Sequence, residues 1–357
     1  MQRDKHIGII TFQRAHNYGA ILQVLSLQEI LKNYCRSVSV IDYYPQSQHY
    51  YHYSECYTYS LKHPLKSIKN LLYLRRRKKR YYAFNSFIES YLNLTSKSLQ
   101  TISQDYDTIV IGSDQVWNLR NSSGKYDYFY WGQFKQDNLP NLISYAASMG
   151  SCDNVQWAVV ANLLKNFNAI SVREKYLKDY IKSNCNFEAE WVLDPTLLQS
   201  KAFFEKIAKE PSIKNPYLFY YQARANKSAY LYAKKWAKKM NLKFICLSAH
   251  IMLSNSHQAI TAGPSEFLGY IKKATYVLTS SFHGTVFCCH FKKNFSTLKL
   301  NDGDNGRSES LLELLGLDYK LISLDSAPNT DIVQWNEVDI KLNEARNDSV
   351  TWLVNHL

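Results

Sequence analysis

The hydrophobic positions of this chain fall into short apolar runs, and several of these are followed by stretches in which apolar residues recur at helical spacing. The first run is HIGIITF, and in the following GAILQVLSLQEILKNY apolar residues recur as on one face of a helix. SVSVIDYY closes this strand–helix–strand unit, and further runs follow at DTIVIGSD, NLISYAAS, NAISVRE and WVLDPT. Strands that alternate with helices are typical of parallel sheets, so the pattern predicts an α/β fold.

The same alternation returns in the second half of the chain. The strand-like runs there are YLFYYQ, KFICLS, TYVLTSS and NFSTLKL, and helical patterns separate them, the first over residues 227–241. A chain of 357 residues is long enough for two ordinary cores. We therefore expect two Rossmann-like, doubly wound domains that face a cleft.

Three prolines interrupt the pattern near residues 195–215, which places the domain boundary there. We assign residues 1–198 to the first domain and residues 199–335 to the second. The last segment, 336–357, is predicted to be a helix that packs back on the first domain. Residues 43–92 fit neither domain, because a tyrosine-rich stretch is followed by a basic helical pattern, and we interpret them as an insertion into the first domain.

The net charge of +13, from 43 Lys and Arg against 30 Asp and Glu, favours anionic partners such as nucleic acid, an acidic membrane or phosphorylated substrates. Nine basic residues and no acidic one lie between Glu55 and Glu89. Six of them are consecutive: Arg75, Arg76, Arg77, Lys78, Lys79 and Arg80. Tyr and Phe beside such a run suit a membrane interface, so we predict contact of these six with the cytoplasmic membrane surface. A solvated helix face is the alternative.

The cysteines and the N-terminus bear on the cellular compartment. Seven cysteines, without CxxC pairs or His/Cys spacing suited to zinc, predict reduced, mostly buried thiols and no bound metal. The first residues, MQRDKHIGII, lack a signal-peptide pattern, and no run of about 18 apolar residues occurs anywhere. We expect a cytoplasmic protein whose membrane contact, if it has one, is peripheral and at the inner face.

Ligands of doubly wound sheets bind at the carboxyl ends of the strands, so the polar residues that follow the apolar runs are candidates for chemistry. These are Asn17, Gly19, Ser113, Asp114, Ser148, Arg173, Glu174, Asp194, Ser280, Ser281 and His283. His283 lies at a predicted helix start, where backbone N–H groups bind anions and the imidazole can deliver a proton to them. The alternative is that His283 only caps the helix. The guanidinium of Arg173 suits a carboxylate or phosphate, and an ion pair with Glu174 or Asp179 is the alternative. Residues 263–265 begin another helix that can bind an anion.

Seven motifs carry a resemblance to a known family. They are NYGAILQ, IGSDQVWN, SYAASMG, SVREKYLKDY, LDPTLL, GPSEFLGYIKKATYVLTSSFHGTVF and GRSESLLELLGL, and in order and spacing they resemble the polysaccharide pyruvyltransferase family over residues 6–317. The resemblance implies a GT-B-like pair of Rossmann domains, phosphoenolpyruvate as donor substrate and no further cofactor. The implied acceptor is a sugar that receives a pyruvate ketal. From the placement of the basic run, and not from the resemblance, we expect this sugar to belong to a surface or capsular polysaccharide precursor on a polyprenyl diphosphate carrier.

Roles follow from the residues and the resemblance together. His283 is the predicted general acid that protonates the enol-ether carbon, Arg173 the clamp for the anionic donor and Asp114 the candidate base for the acceptor. The predicted donor-binding residues are Arg173, Ser280, Ser281, His283, Gly263, Ser265, Lys299 and Arg307. The predicted acceptor-binding residues are Asn17, Tyr18, Gly19, Ser113, Asp114, Gln115 and Trp117.

This chain departs from the family pattern at three places. Ser281 stands where many members have an arginine, two residues before the motif histidine, and no lysine occurs at the family position about twenty residues after it. Lys299 or Arg307 is the candidate to replace that lost charge, with Arg307 favoured because it precedes a helix. In the Asn-x-Gly-Asp loop of the family, Ala20 replaces the acidic residue here, so a base for the acceptor comes from elsewhere.

Two other functions stay open. A GT-B glycosyltransferase that uses a nucleotide sugar would need the same fold and the same anion sites at helix starts. A nucleic-acid-binding protein would account for the positive charge and for the Tyr/Arg segment. Because the basic residues are concentrated in one insertion and no nucleic-acid motif is visible, we expect no specific nucleic-acid partner.

Overall fold

The computed structural model describes residues 4–43, 64–95, 105–119, 124–134, 140–150, 152, 155–248, 260–300 and 306–357, with only the backbone helix described over 64–73. The strands are β1 (His6–Ile10), β2 (Ser37–Ile41), β3 (Leu94–Thr95), β4 (Thr108–Asp114), β5 (Asn141–Ala147), β6 (Ala169–Val172), β7 (Glu190–Trp191), β8 (Tyr217–Gln222), β9 (Lys243–Ser248), β10 (Tyr276–Thr279), β11 (Phe295–Leu298) and β12 (Leu321–Ile322).

The helices alternate with these strands. They are α1 (Tyr18–Leu31), α2 (Pro64–Tyr91), α3 (Trp157–Leu164), α4 (Lys175–Cys185), α5 (Pro195–Leu198), α6 (Lys201–Ile207), α7 (Lys227–Lys239), α8 (Pro264–Lys273), α9 (Phe282–His290), α10 (Gly306–Leu315) and α11 (Trp335–His356). None of these described helices combines the length and the apolar composition needed to cross a membrane.

The described strands form two parallel sheets, as the alternating pattern predicts. The first has the order β3-β2-β1-β4-β5-β6-β7 and the second the order β12-β11-β10-β8-β9. Every pairing between the described strands is parallel, for example that of Ile7 with both Val38 and Thr108. The strand order reverses between β1 and β4 in one sheet and between β8 and β10 in the other, and such switch points open a crevice at the carboxyl ends. The predicted pair of doubly wound, Rossmann-like units is confirmed.

Helix α1 is the element that joins the two cores. Asn17 begins it, because its side-chain oxygen accepts hydrogen bonds from the backbone N–H groups of Gly19 (2.9 Å) and Ala20 (3.4 Å). Nearly all its side chains are buried, since α1 contacts α5 on one side and α8 and α9 of the second domain on another. A helix buried all round has no single apolar stripe, and α1 accordingly combines Leu22 and Leu25 with a buried Gln23.

The basic helix α2 lies against both domains. Phe84, Phe87 and Ile88 are buried in the core that α1 also fills. The Nε atom of Arg76 donates to Thr261 Oγ1 over 3.2 Å, which ties α2 to the segment before α8. The preceding tyrosine-rich residues 44–63, which we interpret as the first part of the insertion, lie outside the described residues.

The C-terminal helix α11 packs on the first sheet. Its last residues receive hydrogen bonds from strand beginnings: Thr108 Oγ1 donates to the carbonyl of Leu357 (2.9 Å), and the Asn141 amide donates to the carbonyl of His356 (2.7 Å). Further up the helix, Ser349 Oγ accepts from the backbone N–H of Leu193 (3.0 Å). This last bond fixes the segment that immediately precedes Asp194.

Candidate active site

The carboxyl ends of the two sheets face each other, and helix starts from both domains meet there. From the first domain come the start of α1 at Asn17, the start of α4 after Glu174 and the start of α5 at Asp194. The second domain contributes the start of α9 after Ser281. Helix N-termini carry unpaired backbone N–H groups and positive partial charge, so their convergence favours an anionic ligand.

A row of three ionisable side chains occupies this meeting point. Nη1 of Arg173 donates to Oδ2 of Asp194 over 2.7 Å, and Nε2 of His283 lies 3.5 Å from the same oxygen. Arg173 and Asp194 belong to the first domain, whereas His283 belongs to the second. The side chains of Arg173 and Asp194 are 1% and 0% exposed, and that of His283 is 7% exposed. A buried carboxylate thus links the imidazole of one domain to the guanidinium of the other.

Asp194 is held in place by hydrogen bonds from several described neighbours besides Arg173. Its Oδ1 accepts from the backbone N–H (3.0 Å) and the hydroxyl (2.6 Å) of Thr196, which makes it the cap of α5. Ser113 Oγ donates to Oδ2 over 3.3 Å. Burial alone would raise the pKa of Asp194, but the charges of His283 and Arg173 and the bonds to its carboxylate lower it below its ordinary value. The carboxylate is therefore ionised and able to stabilise a positive charge on His283.

Gly19 allows the imidazole of His283 to pack directly against α1. A Cβ atom on Gly19 would lie 1.9 Å from Nδ1 of His283, where no side chain fits. This glycine is therefore required for a close approach between domains rather than for a turn, since its backbone is ordinary helix. The sequence motif NYG and the motif FHG, 264 positions apart along the chain, form one contact.

Arg173 is surrounded by carboxylates. Besides Asp194, Oδ1 of Asp114 lies 3.4 Å from Nη2, and Oε1 of Glu174 lies 3.7 Å from Nε. Burial would lower the pKa of Arg173, but these three carboxylates outweigh it and raise that pKa. The predicted donor clamp is not preformed, because the guanidinium is already occupied. In this structure Arg173 positions Asp194 and Asp114, and of the two sequence interpretations the ion pair is the one observed, with Asp194 as its main partner instead of Glu174 or Asp179.

Asp114 ends strand β4 in an unusual backbone conformation. Its φ is +71°, in the left-handed region that Asp tolerates better than most residues but that still stores strain. Its side chain is 13% exposed, so it is the most accessible of the three carboxylates around Arg173. The neighbouring Ser113 is fully buried and donates to the carbonyl of Ala146 (3.1 Å) as well as to Asp194.

Glu174 is the third carboxyl of the cluster. It is fully buried, and its Oε1 accepts a 2.5 Å hydrogen bond from Ser148 Oγ. Desolvation raises its pKa, although the charges of Arg173 and Arg307 and the bond from Ser148 oppose the shift. The three carboxyls thus differ: Asp194 is ionised, whereas Glu174 is biased toward its neutral form.

Two arginines lie on the ring of Phe282, the first residue of α9. The guanidinium carbon of Arg173 is 5.3 Å from the ring centroid and that of Arg307 is 5.9 Å from it. Arg307 sits at the start of α10 and therefore places a second cation beside the site. Lys299, the other predicted substitute for the family lysine, forms an exposed 2.8 Å ion pair with Glu309. Of the two candidates, Arg307 is the one next to Arg173.

The predicted phosphate site at α8 needs correction. The carboxylate of Glu266 accepts a 3.1 Å hydrogen bond from the backbone N–H of Gly263, which closes a capping box. Because this N–H is taken and a negative charge stands beside it, Gly263 and Ser265 do not offer an anion site. A Cβ atom on Gly263 would lie 2.9 Å from Cβ of Ala83 in α2, so close packing accounts for this glycine.

Ser280 and Ser281 lie between β10 and α9, next to His283. The backbone N–H of Ser281 donates to Thr279 Oγ1 (3.1 Å), and that of Ser280 donates to the carbonyl of Tyr221 (3.2 Å). The Ser281 hydroxyl makes no capping bond to the start of α9. The two serines therefore border the helix start without closing it, as a phosphate site requires.

Two predicted acceptor residues belong to the core. Tyr18 is fully buried, donates to the carbonyl of Ala262 (2.8 Å) and stacks on Phe267. Trp117 stacks on Trp131 with ring centroids 4.5 Å apart, and its indole N–H donates to Tyr130. Packing within the core accounts for both buried rings. Asn17 is exposed, and Gln115 is half-buried and accepts from the Asn118 amide (3.3 Å).

The six consecutive basic residues of α2 differ in their exposure to solvent. Arg80 is buried: Nη2 donates to the carbonyl of His16 (2.8 Å), and its guanidinium carbon lies 5.3 Å from the ring centroids of Tyr18 and Phe84. Arg80 is therefore corrected from a membrane contact to a link between α2 and the start of α1. Arg75 and Lys79 are exposed, whereas Arg76, Arg77 and Lys78 are half-buried.

Asp194 and Phe282 are site residues whose roles the sequence pattern does not predict. Asp194 follows the run WVL and precedes Pro195, which is a helix-start signal that also explains a structural cap. The sequence around Asp194 does not show that His283 of the second domain is its partner. Among the described residues, no group of three or more His, Cys, Asp and Glu side chains is arranged to hold a metal ion.

Comparisons with known proteins give one family match and several similar folds. A family model described as polysaccharide pyruvyl transferase matches residues 17–299, more than half of the chain. A search of curated proteins gives no match. Among solved structures, a UDP-N-acetylglucosamine 2-epimerase aligns at 10% identity and a TM-score of 0.50, covering 100% of this chain and 96% of that one.

Two further solved structures are similar at lower scores. The UDP-GlcNAc 2-epimerase from Neisseria meningitidis, bound to UDP-GlcNAc, aligns at 11% identity and a TM-score of 0.46. The alignment covers 99% of this chain and 99% of the epimerase chain. An O-GlcNAc transferase mutant from Thermobaculum terrenum aligns at 10% identity and a TM-score of 0.45. The alignment covers 99% of this chain, which spans 62% of the length of the transferase chain. The fold is thus of the GT-B type, with two Rossmann-like domains.

Proposed function

This chain belongs to the polysaccharide pyruvyl transferase family, and we propose that it moves the enolpyruvyl group of phosphoenolpyruvate onto two hydroxyls of one sugar. The product is a pyruvate ketal and inorganic phosphate. The observation that carries the proposal is the contact of His283 with the ionised carboxylate of Asp194, at helix starts that favour an anion. A histidine beside a fixed carboxylate is a suitable general acid, and helix starts suit a phosphate ester.

The first step is protonation of the donor. His283 gives a proton to the methylene carbon of phosphoenolpyruvate, which becomes a methyl group, and positive charge develops at the adjacent carbon. Nε2 faces Asp194, so Nδ1, which lies against the start of α1, carries the transferred proton. Asp194 stabilises the imidazolium before transfer, in the way that a buried carboxylate orients a catalytic histidine in other enzymes.

The second step is attack by the sugar. One hydroxyl adds to the electron-poor carbon, and its proton goes to Asp114, the most exposed carboxylate of the cluster. A second hydroxyl of the same sugar then displaces phosphate and closes the ketal ring, and its proton leaves with the phosphate. The proton on Asp114 restores His283 through solvent, so one proton enters the methyl group and one leaves on phosphate for each ketal formed.

Binding of the donor is assigned to the second domain. The phosphate lies at the start of α9, near Ser280 and Ser281, and Arg307 supplies the cation. Arg173 acts through Asp194 and Asp114, because its guanidinium is buried between them. This placement leaves the start of α1, with Asn17 and Gly19, for the acceptor.

The lipid-linked acceptor and the membrane contact are parts of the same proposal. A sugar on a polyprenyl diphosphate would be presented at the inner face of the membrane, where the exposed Arg75 and Lys79 of α2 can contact anionic lipid. Each such residue contributes about 1 kcal/mol near an anionic surface. Co-sedimentation with phosphatidylglycerol vesicles should fall for the double variant Arg75→Ala/Lys79→Ala, and unchanged co-sedimentation would contradict this part alone.

The activity itself is tested with a panel of lipid-linked and aryl glycosides. Incubation with phosphoenolpyruvate should give a product whose mass corresponds to one added pyruvyl ketal, and inorganic phosphate in equal amount. UDP-sugars serve as the control donors, since a GT-B glycosyltransferase would consume them instead. Transfer from a UDP-sugar with phosphoenolpyruvate unused would overturn the proposal.

A further inference from the structure

A groove that the mechanism does not use lies between the first domain and helix α10 of the second. Its volume is about 580 Å³, and it runs between the edge strand β7 and helices α10 and α11. Trp191 and Trp352 are the large side chains that line it. Pockets of some hundreds of Å³ are the usual size of a site for a small ligand, so the groove is large enough to matter.

The lining combines aromatic faces with uncharged polar groups. The indole of Trp352 packs against the ring of His356 with centroids 4.4 Å apart and the ring planes tilted by 32°, and it forms one wall of the groove. Thr351 and Asn355, one turn apart on α11, line the same groove with a hydroxyl and an amide. Indole faces pack against the apolar faces of sugar rings, and hydroxyl and amide groups hydrogen-bond to sugar hydroxyls.

The charge of the lining distinguishes among ligands. None of the twelve described residues that line the groove is Lys or Arg, whereas Glu190 and Asp348 are among them. Glu190 is partly neutralised by a 2.9 Å ion pair with Lys178, and Asp348 is exposed. An acidic lining disfavours phosphoenolpyruvate and a lipid diphosphate, because both are anions, and it accepts a neutral saccharide.

The groove shares a wall with the candidate active site. Val192 and Leu193 line it and directly precede Asp194, and Leu314 lines it from α10, the helix that begins beside Arg307. Trp191 donates its indole N–H to the carbonyl of Arg173 (3.1 Å). A ligand in the groove thus contacts the same segment and the same helix that carry the reacting cluster on their other side.

We propose that this groove is a binding site for a neutral saccharide, the part of the polysaccharide acceptor that does not react. A long acceptor would be held there while its reacting sugar enters at the start of α1. Binding energy gained on a remote, non-reacting part of a substrate improves positioning at the reacting centre. The assignment of the saccharide as acceptor rests on the proposed function, whereas binding itself does not.

Binding is measured without catalysis, on protein labelled with 5-fluorotryptophan. The fluorine resonance of Trp352 is assigned by its loss in Trp352→Phe. The probes are maltotetraose, cellotetraose, mannotetraose and β-1,4-galactotetraose, with glucose and phosphoenolpyruvate as controls. We expect at least one tetrasaccharide to shift the Trp352 resonance and phosphoenolpyruvate to leave it in place. If no tetrasaccharide shifts it up to the limit of solubility, or if phosphoenolpyruvate does, the proposal is overturned.

Matched variants separate the groove from the fold. Asn355→Ala should weaken binding of that tetrasaccharide about fivefold to tenfold, because one side-chain hydrogen-bonding group is lost. Asn347→Ala, an exposed asparagine on the same helix outside the groove, should leave it unchanged. Equal effects of both variants would contradict the proposal. A shift of Trp352 in a protein that releases no phosphate from phosphoenolpyruvate would refute the proposed function and leave the saccharide site standing.

Discussion

Nε2 of His283 lies 3.5 Å from Oδ2 of Asp194, so one carboxylate of the first domain faces the imidazole of the second. Either residue alone is a strand-end polar group of an ordinary kind. Together, at the convergence of helix starts, they are the pair that we propose as a proton donor with a fixed counter-charge, beside a place that favours an anion. The predictions below follow from this contact and from the groups that hold it.

Asp194→Asn should keep the shape of the cluster and remove its charge. We expect kcat to fall about 100-fold or more, because the imidazolium loses its counter-ion, with a smaller change in KM for phosphoenolpyruvate. Steady-state phosphate release checks this. Asp179→Asn, which alters an acidic residue of α4 that the sequence offers as an alternative partner of Arg173, is the control and should retain activity. A variant at position 194 with wild-type kcat would show that the carboxylate has no part in catalysis.

Gly19→Ala should inactivate the protein by displacing His283. The new Cβ atom would lie 1.9 Å from Nδ1, so the imidazole must move, and misplacement by about 1 Å costs on the order of 100-fold in rate. Gly124→Ala is the control: its φ of +80° strains an added side chain, but nothing lies within 4 Å of its Cβ position, so the substitution displaces no neighbour. Both variants are assayed for phosphate release after thermal melting confirms that they fold. Equal activities of the two would contradict the role of the contact.

Arg307→Ala should raise KM for phosphoenolpyruvate about tenfold or more, since it removes the second cation beside Phe282. Lys299→Ala should change KM less than twofold, because that lysine forms an exposed ion pair with Glu309. Initial rates over a range of donor concentrations distinguish the two. The reverse order of effects would assign the missing family lysine to Lys299.

Arg80→Ala should destabilise the fold by about 2 kcal/mol, because it leaves the carbonyl of His16 without its charged donor. Lys79→Ala, exposed on the same helix, should change the free energy of unfolding by less than about 0.5 kcal/mol. Urea unfolding measures both. If Arg80→Ala were neutral to stability and reduced binding to anionic vesicles, the membrane assignment of Arg80 would return.

Because of His290, the free energy of unfolding should decrease as the pH is lowered. It is buried against Phe204, lies with Nε2 2.8 Å from the carbonyl of Thr196, and desolvation lowers its pKa to about 4. Between pH of about 6.5 and about 4 the unfolded chain binds a proton that the folded chain does not, so the free energy of unfolding decreases by about 3 kcal/mol as the pH falls. His290→Gln should lack this component, and parallel stability curves for both proteins would contradict it.

Much of the fold follows from local patterns. Strands β1 and β4 lie within the runs HIGIITF and DTIVIGSD, because strands buried on both faces are continuously apolar. For Gly263 and Arg80, where the structure corrects the predicted role, the sequence nearby already contains a feature that indicates the observed one. Glu266 stands three residues after Gly263, as in a capping box, and Arg80 lies four residues before Phe84 on the buried stripe of α2.

The pairing of residues across domains is what local patterns do not contain. His283 and Arg173 are recognisable as polar residues at strand ends, but nothing near either one specifies that Asp194 lies between them. Tyr18 and Trp117 illustrate the same limit. An aromatic residue beside a turn gives the same sequence pattern whether its side chain faces a ligand or the hydrophobic core, and both of these side chains are buried in the core.

The most direct test of the central claim is a paired assay of His283→Gln and the wild-type protein with phosphoenolpyruvate and a glycoside acceptor. Mass spectrometry of the glycoside and colorimetric phosphate determination are run on the same samples. The wild-type protein should form one pyruvyl ketal for each phosphate released, and the folded variant should form neither at a measurable rate. Ketal formation by His283→Gln at near the wild-type rate would contradict the account.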